Sequence, residues 1–102
     1  MPSQHQPPQL ERALSALETS EALVLRLRTG LVDGHRHSLL EVGEFLGATR
    51  TEARSLEWSG WQKLEARARG DRESLVALRY LLGRTKTSFR TSNVLNGFHI
   101  SR

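Results

Sequence analysis

The chain has 102 residues, of which 37% are hydrophobic and 25% are charged, and these values are typical of a single soluble globular domain. It contains no cysteine, so disulfide bonds, thiolate metal sites and thiol nucleophiles are excluded. No apolar run is long enough to cross a membrane, and the N-terminal residues lack the pattern of a secretory signal. We therefore expect a cytoplasmic protein that does not bind membranes.

The chain begins with a polar, proline-containing segment, residues 1–9, which has too few apolar residues to fold and is predicted to be disordered. A folded domain is predicted over residues 10–83. Its first helix is indicated by leucines at helical spacing, Leu10, Leu14 and Leu17.

A second helix is predicted to begin after a cap at Thr19 or Ser20, with Glu21 in its first turn, and to end near Gly30. Its buried stripe is predicted to consist of Leu23, Val24, Leu27 and Leu31. The sequence Asp33-Gly34 that follows favours a turn.

Two capping boxes then open two consecutive helices. Ser38 with Glu41 opens the first, and Thr49 with Glu52 opens the second. Because Gly47 suits the end of the first helix and only residues 47–49 separate the two helices, the chain must turn sharply between them.

The helix after this turn is predicted to run from Arg50 to about Arg69 and to stop at Gly70. Its core stripe is predicted to be Ala53, Leu56, Gly60, Trp61 and Leu64. A fifth helix follows, with Asp71 as its cap and Gly83 as its end. Its buried face is predicted to include Leu75, Leu78 and Leu82. The fold class is therefore all-α, a helix-turn-helix bundle of about five helices.

The net charge of +4 lies entirely beyond residue 83. Residues 1–83 contain 11 basic and 11 acidic side chains. The remaining residues contain no acid and four basic side chains, Arg84, Lys86, Arg90 and Arg102. A basic tail over 84–102 suits a polyanion such as nucleic acid, although a solvated terminus would look the same. Within it, Asn96-Gly97 favours a small hairpin, with disorder as the alternative.

The third and fourth predicted helices meet the requirements of a helix-turn-helix motif. That motif needs apolar residues where two crossed helices touch, a small residue at their closest approach and a glycine in the turn. The matching positions are Val42, Gly43, Leu46, Gly47, Ala48, Ala53 and Leu56. An ordinary helical hairpin is the alternative.

From Ala13 to Leu64 the chain resembles region 4, the C-terminal domain of primary bacterial sigma factors of the sigma-70 family. The resemblance is carried by Glu21-Ala22, Val24-Leu25, Arg28, Gly30-Leu31, Asp33-Gly34, "LLEVG" from Leu39, Gly47, Thr49-Arg50, Arg54, Glu57 and Lys63-Leu64. It implies a region 4 that stands alone, because nothing in the chain resembles the other regions of a sigma factor.

The resemblance implies two partners, RNA polymerase and double-stranded DNA. In this family the first helices of region 4 bind the flap of the polymerase β subunit, which implies a protein interface at Leu23, Leu27 and Leu31. The second helix of the motif reads promoter DNA. The implied DNA-facing residues are Thr49, Arg50, Thr51, Arg54, Ser55, Trp58 and Ser59.

The chain departs from the family pattern at the positions that read bases. It has Thr51 where the family has glutamate, Ser55 in place of glutamine and Ser59 in place of lysine. Short hydroxyl side chains cannot make the bidentate base contacts that give about 1–3 kcal/mol of discrimination each. Arg50 and Arg54 remain, one turn apart, and can hold phosphates or a guanine.

The two tryptophans are expected to have different roles. Trp61 belongs to the predicted core stripe, whereas Trp58 falls on the opposite face with Thr51 and Ser55. An exposed tryptophan often anchors an interface, so we expect Trp58 to contact a protein partner as well as, or instead of, DNA. The alternative is that it folds back onto a neighbouring helix. Gly60 is expected to make room for an indole.

Enzyme activity is not expected. No Ser/His/Asp arrangement, phosphate-binding glycine loop or paired carboxylates stand out, and no cofactor is implied. His35 and His37 suggest a metal site, but they lie in a predicted turn without an evident second pair of ligands, and Arg36 between them would repel a cation. We therefore expect a polar loop and no metal.

Three functions remain open. The first is transcription regulation by DNA binding beside the polymerase flap. The second is a protein-interaction module that binds polymerase or competes with a sigma factor and has lost sequence-specific DNA reading. The third is a structural homo-oligomer, in its simplest form a homodimer, that uses the face around Trp58.

Overall fold

The computed structural model describes residues 6–85, which form five α-helices and no strand in that range. The helices are α1 (Pro8–Ser15), α2 (Thr19–Arg28), α3 (Leu39–Leu46), α4 (Arg50–Ala68) and α5 (Arg72–Arg84). The predicted all-α class is confirmed. The possible hairpin around Asn96-Gly97 lies outside the described residues. No helix within residues 6–85 combines the length and apolar character needed to span a bilayer.

The first helix begins earlier than the leucine spacing predicts. Pro7 is the N-cap and Pro8 is the first helical residue, so the prediction of disorder was wrong for residues 8 and 9. Proline is favoured at this position because its fixed φ suits the helix and its missing N–H would have no intrahelical partner there.

Helix α2 begins after Glu18, so the predicted cap at Thr19 or Ser20 was wrong. The backbone N–H of Glu18 donates to Oε1 of Glu21 at 3.1 Å, and this confirms Glu21 in the first turn. At the other end Gly30 has a φ of 80°, a conformation that glycine adopts at little cost.

Two apolar clusters hold the helices together, and α2 contributes to both of them. The larger cluster joins α1, α2, α4 and α5 and includes Leu14, Leu25 and Leu64. The smaller one joins α2, α3 and α4 through Val24, Leu27, Val42 and Ala53. A single buried stripe was predicted for α2, which missed Leu25, a side chain with no exposed surface. Because α2 is buried on two sides, it lacks the one-sided pattern of a surface helix.

The predicted core stripe of α4 is confirmed. Ala53, Gly60, Trp61 and Leu64 are buried and Leu56 is half-buried. Gly60, however, does not make room for an indole. A Cβ at this position would lie 3.3 Å from Cδ1 of Leu25, so the glycine lets α2 approach α4 closely.

Helix α5 begins as predicted, with the Asp71 side chain accepting a hydrogen bond from the N–H of Glu73 at 3.2 Å. It continues through Gly83, which was predicted to end it, and finishes at Arg84. Its buried face is centred on Ser74, Ala77, Leu78 and Leu81, with the predicted Leu75 and Leu82 half-buried beside it.

Candidate DNA and protein interface

The turn between α3 and α4 has the geometry that the motif requires. Gly47 is left-handed, with φ 70° and ψ 34°, as predicted. The N–H of Ala48 donates to the carbonyl oxygen of Gly43 at 2.8 Å. A Cβ on Gly43 would lie only 2.7 Å from the carbonyl oxygen of Ala48, so only glycine allows this approach. These two glycines fix the direction in which α4 leaves the turn.

Both predicted capping boxes are present. Ser38 Oγ accepts from the N–H of Glu41 at 3.1 Å, and Oε1 of Glu41 accepts from the N–H of Ser38 at 3.0 Å. Thr49 Oγ1 accepts from the N–H of Glu52 at 3.0 Å, and Oε1 of Glu52 accepts from the N–H of Thr49 at 2.9 Å. Thr49 therefore stabilises the start of α4, and its exposed hydroxyl still has a hydrogen to donate.

The N-terminal half of α4 carries an exposed face that is polar except for one indole. We call the exposed residues Arg50, Thr51, Arg54, Ser55 and Trp58 the outer face of α4. Among residues 6–85, no carboxylate forms an ion pair with Arg50 or Arg54. Their guanidinium groups are thus available to an anion such as a phosphate.

Ser59 does not belong to the outer face, which corrects its placement among the DNA-facing residues. It is half-buried, and its hydroxyl donates to Oε2 of Glu21 at 2.5 Å. Lys63 Nζ donates to Oε1 of the same carboxylate at 3.0 Å. Burial raises the pKa of Glu21, but the hydrogen bonds from Ser59 and Lys63 outweigh it and leave the pKa below its ordinary value. Ser59 therefore joins α4 to α2.

A second buried network lies beneath α4 and includes a pair that sequence reasoning missed. Arg28 Nε donates to Oε1 of Glu57 at 3.1 Å, and Trp61 Nε1 donates to Oε2 at 3.2 Å. Arg28 also donates from Nη1 to the carbonyl oxygen of His37 at 2.9 Å. This network connects α2, the α2–α3 turn and α4, so it fixes the outer face of α4 relative to the rest of the domain. Arg28 and Glu57 carried the family resemblance, but their pairing across 29 residues left no local signal.

The residues predicted to face a polymerase subunit differ in exposure. Leu23 and Leu31 are half-buried and border the apolar clusters. Leu27 is only 1% exposed, so its side chain belongs to the core and cannot touch a partner in this conformation. Leu27 is buried because it packs in the smaller apolar cluster between α2, α3 and α4.

Apolar surface is instead found on α3 and α4. Trp58 is 64% exposed, which confirms its predicted exposure and excludes that it folds back onto a helix within residues 6–85. Leu40 and Phe45 on α3 are exposed to a similar degree, and sequence reasoning did not single them out. The sequence held a signal for their exposure, because Val42 and Leu46 face the smaller cluster and the residues beside them in α3 point elsewhere.

The α2–α3 turn brings more ionisable side chains together than its sequence indicated. His35, His37 and Glu41 place one ligand atom each within 4.8 Å of one another, so one further potential ligand lies near the histidines, where the sequence indicated no second pair. Asp33 contacts His37 Nε2 through both carboxylate oxygens at 3.2 Å. The N–H of His35 lowers the pKa of Asp33, with a smaller effect from His37. The N–H of Ser38 lowers the pKa of Glu41.

Arg84 was assigned to a basic tail, but it is part of the folded domain. Its Nε donates to the carbonyl oxygen of Thr29 at 2.8 Å and its Nη2 to that of Gly30 at 3.3 Å. These carbonyls lie at the C-terminal end of α2, where a positive charge is favourable. The other basic residues of the tail, Lys86, Arg90 and Arg102, lie outside the described residues.

Comparison with known proteins shows similarity to a sigma factor. No protein-family model matches the chain. Over 62 residues, which is 61% of the chain, the sequence is 37% identical to the RNA polymerase sigma factor sigB of Arabidopsis thaliana. The match covers 11% of that protein. Part of the chain is therefore similar to a segment of a sigma factor.

Proposed function

We propose that this protein is a transcription regulator that resembles region 4 of the bacterial primary sigma-70 factors and binds promoter DNA through the outer face of α4. Similarity to a segment of a sigma factor supports a role in transcription. The glycine turn and the capped helix that follows it support the choice of α4 as the DNA-contacting element.

The observation that carries the proposal is the pair of exposed guanidinium groups at Arg50 and Arg54. They are four residues apart, so they lie about 6 Å from each other along the helix axis. Within the described residues neither is neutralised by a carboxylate. Two free cations at the start of a capped helix are suited to the phosphates that border a groove.

Thr51 and Ser55 each follow one of these arginines on the exposed side of α4 and would face the bases. Their hydroxyl groups can make single hydrogen bonds but not the bidentate contacts of longer side chains. We therefore infer that most of the DNA affinity is electrostatic and that discrimination between sequences is weak.

The test is a titration of labelled duplex DNA at low salt with the full chain. Replacing both Arg50 and Arg54 by alanine is expected to weaken binding to all duplexes. It should also reduce the slope of log affinity against log salt by the amount that corresponds to about two phosphate contacts. The matched control replaces Arg69 and Arg79, which are also exposed and without ion pairs among the described residues. Arg69, the C-cap of α4, lies about 28 Å from Arg50 along the helix axis. Equal losses in both double variants, or no binding by the wild type, would contradict the proposal.

A second candidate function is a protein-interaction module that binds RNA polymerase, with the β flap as the expected contact. The exposed indole of Trp58 favours it, because a tryptophan in water gains stability when a partner covers it. The half-buried Leu23 and Leu31 offer a further apolar contact on α2 and the segment after it.

A pull-down of core polymerase with and without its flap separates the two functions. Binding that requires the flap and is lost in Trp58→Ala supports the interaction module. Binding to DNA that survives Trp58→Ala supports the DNA-binding function. Sedimentation of the free protein tests the homodimer, which would be disrupted by Trp58→Ala if two copies pair through this face.

A further inference from the structure

The turn between α2 and α3 brings three potential metal ligands together at the surface. We propose that His35, His37 and Glu41 form a binding site for a zinc ion, with Asp33 supporting His37 from outside. The inference is independent of any DNA or polymerase binding. Two imidazoles and a carboxylate are a ligand set that zinc accepts, with water in the fourth position.

The separation of the ligand atoms suits zinc. His37 Nδ1 lies 3.4 Å from Oε1 of Glu41. Zinc bonds to nitrogen and oxygen are about 2.0–2.2 Å long, so two ligands of a tetrahedral site lie about 3.3–3.6 Å apart. His37 and Glu41 therefore already have the required spacing. All three residues place a ligand atom within 4.8 Å of the others, and His35 is exposed, so no packing contact in the core holds its ring away from the site.

The second nitrogen of His37 is held as metal-bound histidines usually are. Asp33 lies 3.2 Å from Nε2, the nitrogen that faces away from Glu41. A carboxylate that accepts the proton of one ring nitrogen leaves the lone pair of the other nitrogen directed at the metal. In this geometry Nε2 carries the proton and Nδ1 is the ligand.

The main chain around His37 is held in place before any ion arrives. Its N–H donates to the carbonyl oxygen of Leu27 at 3.0 Å, and its carbonyl accepts from Arg28 Nη1 at 2.9 Å. Asp33 Oδ1 accepts from the N–H of His35 at 3.1 Å, across the left-handed Gly34. Site formation thus requires little ordering of the backbone, which otherwise opposes binding.

The guanidinium group of Arg36, which would repel a metal ion, does not point towards the two histidines. Arg36 lies between the two histidines in sequence, but its Nη1 donates to the carbonyl oxygen of Arg84 at 3.3 Å. Its side chain passes close to Gly30, where a Cβ would lie 3.5 Å from Cγ of Arg36. The guanidinium is therefore drawn towards the end of α5.

Without a metal, the same residues have a simpler arrangement in which His37 bridges the two carboxylates of Asp33 and Glu41. Both arrangements use His37 and Glu41. Only the metal site needs His35, whose ring makes an edge contact with that of His37 at a centroid distance of 4.7 Å. The contribution of His35 therefore distinguishes them.

The experiment is isothermal titration of tag-free, full-length protein with zinc chloride, together with cobalt(II) absorption spectroscopy, which reports four-coordinate geometry directly. We expect one ion per chain and the visible bands of tetrahedral cobalt. His35→Ala and Glu41→Gln should each abolish the bands. Asp33→Asn should weaken binding about 10–100-fold, as for other residues that orient a metal ligand.

Glu44→Gln is the matched control, because it neutralises an exposed carboxylate on the same helix outside the cluster. Glutamine at position 41 preserves the capping box, so helix content by circular dichroism should not change. Should His35→Ala disturb the turn, His35→Asn removes the imidazole while keeping a polar side chain suited to a turn. Absence of saturable binding overturns the proposal. So does binding that survives in both His35 variants, because the ion would then be held by other residues.

Discussion

Trp58 and Trp61 are three residues apart in α4, yet Trp58 is 64% exposed and Trp61 is 5% exposed. The difference arises because Trp61 lies in the larger apolar cluster and donates its indole N–H to Glu57, whereas Trp58 belongs to the outer face. The same residue type therefore serves the core at one position and the surface at the other.

Trp61→Ala is expected to lower the free energy of unfolding by about 3–5 kcal/mol, since it removes a core side chain and the indole N–H that donates to Oε2 of Glu57. Trp58→Ala should change it by no more than about 0.5 kcal/mol. Urea unfolding followed by circular dichroism measures both. Trp61→Phe, which keeps the ring but not the N–H, separates packing from the hydrogen bond. A larger loss in Trp58→Ala than in Trp61→Ala would contradict this assignment of faces.

Gly47→Val should destabilise the domain by about 1–3 kcal/mol, because a β-branched residue is strained at a φ of 70°. Apart from the adjacent residues of the chain, no atom lies within 4 Å of a Cβ at this position, so the loss would come from the backbone conformation. Gly47→Asn is the control, since asparagine tolerates the left-handed region better. Thermal unfolding is the measurement, and equal melting temperatures for both variants and the wild type would show that the turn tolerates valine.

Ser59→Ala should lower the free energy of unfolding at neutral pH by about 1–3 kcal/mol, because it removes the hydroxyl that donates to Oε2 of the buried Glu21 and leaves Lys63 as the remaining side-chain partner. Ser55→Ala is the matched control, since Ser55 is exposed on the same helix and should be nearly neutral. Urea unfolding gives both values. A neutral Ser59→Ala would mean that water replaces the lost hydroxyl.

The same carboxylate predicts a pH dependence. The pKa of Glu21 is lower in the folded protein than its ordinary value, so the ionised group stabilises the fold above the unfolded pKa of about 4.3. That contribution is lost as the pH falls through the lower folded-state pKa. Ser59→Ala removes one of the hydrogen bonds that lower this pKa. The stability of the variant should therefore fall less between pH 7 and pH 3 than that of the wild type, and a parallel loss in both would contradict this origin.

Deleting residues 86–102 should weaken binding to all DNA duplexes alike and reduce its salt dependence, because the basic side chains Lys86, Arg90 and Arg102 are suited to phosphate contacts. A complex that neutralises about four phosphates has a log–log salt slope near −3.6. The truncation must retain Arg84, because this residue binds the carbonyl oxygens at the end of α2. Arg84→Ala should instead reduce stability while leaving the charge of the tail in place. An unchanged slope after truncation would assign the affinity to the folded domain.

The caps of α3 and α4 and the turn between these helices were predictable from the sequence because they depend on residues at most four positions apart. Ser38 with Glu41, Thr49 with Glu52, and Gly47 each satisfy backbone groups of their own segment. The core stripe of α4 was predictable for a related reason. Helical periodicity places Ala53, Trp61 and Leu64 on one side whatever packs against them.

Contacts between distant segments were decided only by the packing of the helices. Ser59 meets Glu21 across 38 residues, and Arg84 meets Thr29 across 55. Ser59 was assigned to DNA through the family resemblance, and Arg84 was assigned to the tail because Gly83 was predicted to end the last helix. Which neighbour each one meets depends on the crossing of α2 with α4 and α5. Short-range rules carry no information on that crossing.

The α2–α3 turn also combines features that the local sequence determines with contacts that depend on helix packing. The sequence determined a turn at Asp33-Gly34 and a capped helix from Leu39, because glycine at positive φ and the capping box are local properties. Only the tertiary structure decided that Asp33 and Glu41 lie on the two sides of His37. The position of its ring depends on the anchoring of its backbone to α2 by Leu27 and Arg28, which is a consequence of how α2 packs against α3 and α4.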